Sequence, residues 1–353
     1  MKVETLLPLG KLDPGLREPE TPFDIRTVFS SAQEVEALGY DGMVVEETKD
    51  DPYVILGLAA QATQRVTLST SVALAFPRSP TITAMSAWTL QKLSNGRFIL
   101  GLGTQVKGHI ERRFGLKWSS PGAWMREYIQ AVRAIWSCWQ NGTPLNFQGE
   151  RYKLNLMVPL FTPTPIEHPN IPIQIAAVNP YICQVGGEVA DGIRPHPVCT
   201  PSYIRNVMLP AVAKGAAKAG RNAKDIAVCM KPFVATAPDE ATLRERMQTV
   251  RARLAFYGST PAYRVVFEAH GLGDLATELN QLSRQQRWEE MPPLVSDEMI
   301  ETFATVGTYD QIADRIKQRY GGLITHIEFG IQVRNDTDRR QLKEMIQDLQ
   351  QAA

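Results

Sequence analysis

Two adjacent carboxylates, Glu46 and Glu47, end the short apolar run Met43-Val44-Val45, and Thr48 follows them. Successive residues of a strand point to opposite faces, so only one of the two acids can face a pocket. A carboxylate there could hold a ligand N–H or move a proton, and it could equally cap a helix or join a salt bridge. A second group follows Phe98-Ile99-Leu100-Gly101-Leu102-Gly103, where Thr104, Gln105, Lys107 and His109 form a polar loop. Gly101 and Gly103 carry no side chain, so a flat ligand or another backbone can come close. Lys107, Arg112 and Arg113 could meet an anionic group or form a solvated helix face. His109 could give a proton or be structural. A third group is Ala176-Ala177-Val178-Asn179-Pro180, where an apolar run enters a helix. Amides at a helix N-terminus suit a phosphate. Arg194, at the end of the next apolar run, could add a cation there or sit in a surface salt bridge.

The elements that must position these groups alternate. Strand-like runs are expected near 3–8, 43–47, 66–72, 98–103, 173–177, 192–195, 226–235 and 325–331, each followed by a helical pattern. Gly39 and Gly96 stand where a helix ends in a left-handed residue. Asp51 before Pro52 is an N-cap with proline at the first helical position. The first helix is expected to open at Pro22-Phe23-Asp24. Excursions fall at 104–123, 143–170 and 257–305, the middle one holding a hairpin around Gly149-Glu150 and a proline-rich strap. Eight strand–helix units suit one (β/α)8 TIM barrel of class α/β, as a single domain over 1–353; a doubly wound open sheet is the alternative. Ligands bind such folds at the carboxyl ends of the strands.

Composition narrows the function. The net charge of +1, from 38 basic and 37 acidic residues, leaves no electrostatic footprint for nucleic acid or an anionic membrane. Hydrophobic residues at 44% suffice for a large core, and no apolar run approaches the ~20 residues that span a bilayer. Cys138, Cys183, Cys199 and Cys229 are scattered, without a Cys-x-x-Cys pair, as expected of reduced thiols in a cytoplasmic protein. No metal site is expected. The five histidines are dispersed, and strand 1 offers no His-x-His. Gly101-x-Gly103 lacks the third glycine of a nicotinamide-binding turn.

Taken together, Thr70-Ser71-Val72, Pro77 to Pro80, the helix over 84–94 and Gly96-Arg97-Phe98-Ile99-Leu100-Gly101-Leu102-Gly103 resemble the bacterial luciferase-like superfamily. Gly39-Tyr40-Asp41-Gly42, Ile175-Ala176-Ala177 and Ala190-Asp191-Gly192 fit the same pattern. Glu47-Thr48 with Asp51-Pro52, and Gln105-Val106-Lys107 with His109-Ile110-Glu111-Arg112-Arg113-Phe114, resemble a subgroup associated with the deazaflavin coenzyme F420. The resemblance implies a barrel that binds coenzyme F420, or FMN as the alternative. It implies hydride transfer or oxygen insertion on a small organic substrate, and a homodimer. The expected activity is that of a coenzyme F420-dependent oxidoreductase. An FMN-dependent monooxygenase is the alternative, and a non-catalytic flavin-binding protein the second.

The resemblance also implies roles. Ser71-Val72 would form a cis peptide behind the cofactor ring. Thr104 and Gln105 would hydrogen-bond ring carbonyls, and Lys107 would meet an acidic tail. Ala176, Ala177, Val178 and Asn179 would hold the phosphate, although relatives often have glycines where Val178 and Asn179 stand, and Arg194 would assist. Thr48 occupies the place of a catalytic histidine in many relatives. Proton handling is therefore expected to fall first to Glu47 and second to His109.

Overall fold

The computed structural model describes residues 1–9 and 23–352. Eight parallel strands form its centre: β1 (Lys2–Leu6), β2 (Gly42–Val45), β3 (Thr67–Thr70), β4 (Phe98–Gly103), β5 (Ile173–Ala177), β6 (Gly192–Pro195), β7 (Ala227–Met230) and β8 (His326–Glu328). Each pairs with its sequence neighbour, β8 pairs with β1 and β7, and pairing of β3 with β4 completes the ring. The (β/α)8 barrel is thus closed, and the open-sheet alternative is excluded. The strands are buried nearly throughout, because helices cover the outside and side chains fill the inside.

Local signals set the element ends. Gly39 (φ 94°) and Gly96 (φ 85°) take the left-handed conformation after their helices. Asp51 accepts from Tyr53 N at 2.8 Å and starts the helix Pro52–Ala62. Ser79 caps Pro80–Leu93, and Asn179 caps Pro180–Val189. The first helix is Val28–Leu38, preceded by a single 3-10 turn capped by Asp24; Pro22 lies outside the described residues.

Two strands differ from expectation. The run 226–235 is not one strand. β7 ends at Met230, and Phe233–Ala237 leaves the barrel to pair in parallel with Ala304–Thr308. Pro232 lies at the break, and a residue with no N–H cannot continue a central ladder. The excursion between these outer strands carries the helices Glu240–Gly258, Gly273–Arg284 and Asp297–Phe303. The run 66–72 also divides. β3 stops at Thr70, the Ser71-Val72 peptide is cis, and Ala73–Leu74 pairs with the end of β4. A Cβ on Gly101 would lie 1.8 Å from the Thr70 carbonyl oxygen, so only glycine lets these strands approach here.

Candidate functional site

A cavity of about 490 Å³ opens at the carboxyl ends of the strands. One wall is Val72 against Gly103; a Cβ on Gly103 would lie 2.5 Å from Val72 Cγ2. Ser71, Val72, Thr104 and Gln105 all line it. Gln105 holds φ 56°, unusual for a residue with a side chain, and its Oε1 accepts from Val106 N at 2.9 Å. The Thr104 hydroxyl donates to the Gln105 carbonyl at 3.1 Å.

The opposite wall is the end of β5. Ala176, Ala177, Val178 and Asn179 line the cavity where Pro180–Val189 begins, so a ten-residue helix aims its N-terminus there. The Asn179 side chain accepts from Ile182 N at 3.0 Å and so satisfies one amide of that first turn. The Tyr203 hydroxyl donates to the Val178 carbonyl at 3.1 Å.

The two adjacent acids have separate tasks. Glu47 Oε2 accepts from Leu74 N at 2.7 Å, and Arg78 Nη1 donates to both carboxylate oxygens at 2.7 and 2.8 Å. Arg78 Nη2 reaches Asp51 at 2.9 Å. Glu47 therefore lines the cavity while anchoring the segment after Ser71-Val72. Glu46 instead accepts from Lys231 Nζ at 2.6 Å.

The floor is polar and buried. Arg194 is neither a surface salt-bridge residue nor a cation waiting at a helix end. It is 7% exposed inside the barrel, donating to Gln174 Oε1 (2.7 Å), Ser71 Oγ (3.2 Å), Ser69 Oγ (3.2 Å) and Glu4 Oε2 (3.1 Å). Burial is the largest influence and opposes its charge, but Glu4, Cys229 and Glu328 together hold its pKa above the ordinary value. Burial pushes the Cys229 thiol beside it up to about 12, so that lining group stays a neutral thiol.

Lys107 and His109 do not reach the cavity. They lie on the exposed side of the short helix Lys107–Arg112, and Lys107 faces Glu111 at 3.9 Å. Ile110 is the buried residue of that helix and sets its orientation. Arg113 turns toward the mouth and donates to the Thr48 carbonyl at 3.3 Å.

Several lining groups escaped the sequence reading. His196 stacks on Tyr263 with centroids 4.0 Å apart, and Tyr257 meets His196 edge-on at 4.6 Å. Arg253, from the same helix as Tyr257, stands over Phe233 at 5.5 Å. Tyr257 and Tyr263 bring the 257–305 excursion onto the cavity. Lys231 was missed as well, although a lone lysine just beyond an apolar run and before Pro232 was a visible signal. Among the described residues no His/Cys/Asp/Glu group could hold a metal ion, no helix is long and apolar enough to cross a membrane, and all four cysteines are free and buried.

The sequence pattern of the luciferase-like monooxygenase family matches residues 1–326. The chain belongs to this family. An uncharacterised protein of Mycobacterium tuberculosis is 44% identical over 306 residues, 87% of this chain and 90% of that one. A second protein of that organism, provisionally named a coenzyme F420-dependent oxidoreductase, is 30% identical over 294 residues, 78% of this chain and 82% of that one. Among solved structures, the coenzyme F420-dependent tetrahydromethanopterin reductase of Methanopyrus kandleri superposes with a TM-score of 0.76 at 20% identity, covering 99% and 98% of the two chains. The oxygenating constituent of 3,6-diketocamphane monooxygenase of Pseudomonas putida, in complex with FMN, gives 0.67 at 15% identity, covering 99% and 98%. Both structures share the barrel. Membership makes the chain a luciferase-like oxidoreductase.

Proposed function

We propose that the chain transfers a hydride between coenzyme F420, bound at the carboxyl end of the barrel, and a small organic substrate. One observation carries the reading. A single cavity joins a flat wall, Val72 on Gly103, to a helix N-terminus at Val178 and Asn179. The first suits a planar ring and the second a phosphate. The provisionally named M. tuberculosis relative supports the choice of coenzyme.

In this reading the bound deazaflavin ring supplies or accepts the hydride. Ser71, Val72, Thr104 and Gln105 border the ring, and Ala176 to Asn179 hold the phosphate. Arg194 braces Ser71 from below through its hydrogen bond and stays committed to Glu4. Glu47 fixes Leu74, and with it the ring-facing segment, through Arg78. His196, Tyr257 and Tyr263 narrow the outer cavity, where a small substrate would sit.

Reduced FMN with oxygen is the second reading. Its support is Lys107, which faces Glu111 away from the cavity and so weakens the case for an acidic cofactor tail. Equilibrium titration of the purified chain with each cofactor separates the two. Coenzyme F420 is expected to bind at micromolar concentration or tighter, with FMN at least ~10-fold weaker, about 1.4 kcal/mol. Tighter FMN binding reverses the assignment, and binding without turnover of any donor or acceptor leaves a carrier protein.

The working form is a homodimer. The neighbouring helices Pro52–Ala62 and Pro80–Leu93 expose Val54 (62%), Leu58 (42%), Ile82 (52%) and Met85 (52%), an apolar face that a second copy would cover. Sedimentation should give a dimer for the wild type and a monomer for Val54→Glu with Met85→Glu. A monomeric wild type contradicts it.

A further inference from the structure

Lys231 stands between two carboxylates, 2.6 Å from Glu46 Oε1 and 3.2 Å from Glu328 Oε1. Lys231 and Glu46 line the cavity, whereas Glu328 lies behind them at the end of β8 with its side chain 7% exposed. The second oxygen of Glu328, Oε2, is buried and has no hydrogen-bond partner among the described residues. An ionised carboxylate with a bare buried oxygen is costly, and a proton on it removes that cost. Neighbouring charges agree. Arg194, a buried cation, pairs with Glu4 and makes no hydrogen bond to Glu328. Burial pushes the Glu328 carboxyl up; Lys231 and Arg194 pull it down, Glu46 pushes it further up, and the net direction is up.

We propose that Glu46, Lys231 and Glu328 form the proton store of the cavity, in which Lys231 exchanges a proton with the bound ligand and Glu328 refills Lys231. The inference rests on the hydride-transfer reading above, since such chemistry needs a proton moved nearby. In one direction an N–H bond of the Lys231 ammonium breaks and a bond to hydrogen forms on the ligand atom that is gaining electron density. The Glu328 carboxyl proton then passes to the lysine amine. The triad ends with two carboxylates around one ammonium, a net charge of −1, having started at zero. In the other direction a ligand hydroxyl gives its proton to the lysine amine formed when Glu328 takes one from the ammonium. No electrons are gained or lost by the triad. Glu47 is poorly suited to this task, because Arg78 and Leu74 N occupy its oxygens, and His109 lies off the cavity. Glu328 acts through Lys231 and is a positioning residue.

Infrared spectroscopy of the whole chain with carboxyl-labelled glutamate tests the store without any substrate. A protonated-carboxyl band should persist near neutral pH, where ordinary glutamates are ionised. Glu328→Gln should abolish it. Glu46→Gln should move its titration to lower pH, because a like charge is removed, and Lys231→Met should move it higher. The facing groups Glu4, Arg194, Cys229 and His326 remain in all three variants. A wild type without the band, a band that survives in Glu328→Gln, or a Glu46→Gln shift that is absent or upward overturns the proposal; the wild-type outcome and that of the other variant still apply if one variant fails to fold. Titrating the same proteins with coenzyme F420 and FMN keeps the two claims apart. Binding with no band sinks the store alone, and a band with neither cofactor bound sinks the hydride reading on which its role rests.

Discussion

Arg97 and Arg194 are the same residue at opposite ends of one barrel, and their partners differ in kind. Arg97 precedes β4 at the amino end. It donates to the carbonyls of Ser94 (2.8 Å), Val66 (2.8 Å), Ala60 (3.1 Å) and Thr63 (2.8 Å), and to Thr63 Oγ1 (3.0 Å). Arg194, near the carboxyl end, donates to the side chains of Gln174, Ser71, Ser69 and Glu4, the last a carboxylate. Burial holds the Arg97 pKa below its ordinary value against Glu36, whereas at Arg194 the acidic neighbours, Glu4 first, together overcome burial and carry the pKa above it. Carbonyls belong to the chain path, so Arg97 rivets the loops that enter β3 and β4. Side chains can be exchanged without rerouting the chain, so the Arg194 end is free to vary its chemistry. The lower face thus fixes the chain path and the upper face carries the function, as expected of such a barrel, while the buried Arg194–Glu4 pair ties stability to the functional end as well.

The largest effect should come from Arg194→Met. It strands Glu4, which is 1% exposed, as a buried charge, at a cost of about 3–5 kcal/mol. Adding Glu4→Gln should return most of that in denaturant unfolding; a double variant no more stable than the single one would break the pairing account. Arg97→Met should cost about 2–3 kcal/mol through lost charge-assisted hydrogen bonds, yet leave cofactor affinity of the folded fraction unchanged. A loss of affinity without a loss of stability would put function at the wrong end.

Acidity sharpens the contrast next. Glu328 has its folded pKa raised, so its contribution to stability is complete below the unfolded pKa and is lost as pH rises through the folded one. Glu188, on the barrel exterior, runs the other way. Burial opposes its charge, but Gln184, Lys218 and Arg126 together lower its pKa. Its contribution is present above the unfolded pKa and is lost as pH falls through the folded one. Glu328→Gln should therefore gain stability over the wild type with rising pH, by at most about 1.4 kcal/mol per pH unit, and Glu188→Gln should lose it. Parallel curves for Glu328→Gln and the wild type would contradict the raised value. The smallest effect belongs to Asn179→Ala, about 1 kcal/mol for the lost cap, with cofactor binding weakened several fold if that helix end holds the phosphate. Full affinity would move the phosphate elsewhere.

What was legible in the chain was local. Gly39 and Gly96, the cap Asp51, and the short apolar runs act over a few neighbours, so they mark element ends and the barrel order directly. Gly101 and Gly103 were legible as close approaches, although the approaching atoms, those of Thr70 and Val72, were not. The parts that could not be read depend on distant partners. Glu47 looked like an available acid because Arg78 lies 31 residues away, and Lys231 meets Glu46 across a separation of 185 residues. His109 was placed on the cavity because the loop after β4 showed no period; its six-residue helix instead turns on buried Ile110 and faces His109 outward. The exit of strand 7 was written in Pro232, but its destination, Ala304–Thr308, was not.

Hydrogen–deuterium exchange with and without coenzyme F420 tests the division of the barrel most directly. The account predicts slower amide exchange at 71–74, 103–106 and 176–179 when the coenzyme binds, with the Arg97 end, 60–66 and 94–97, unchanged. Protection confined to the Arg97 end, or binding that leaves 71–74 and 176–179 unprotected, would contradict it.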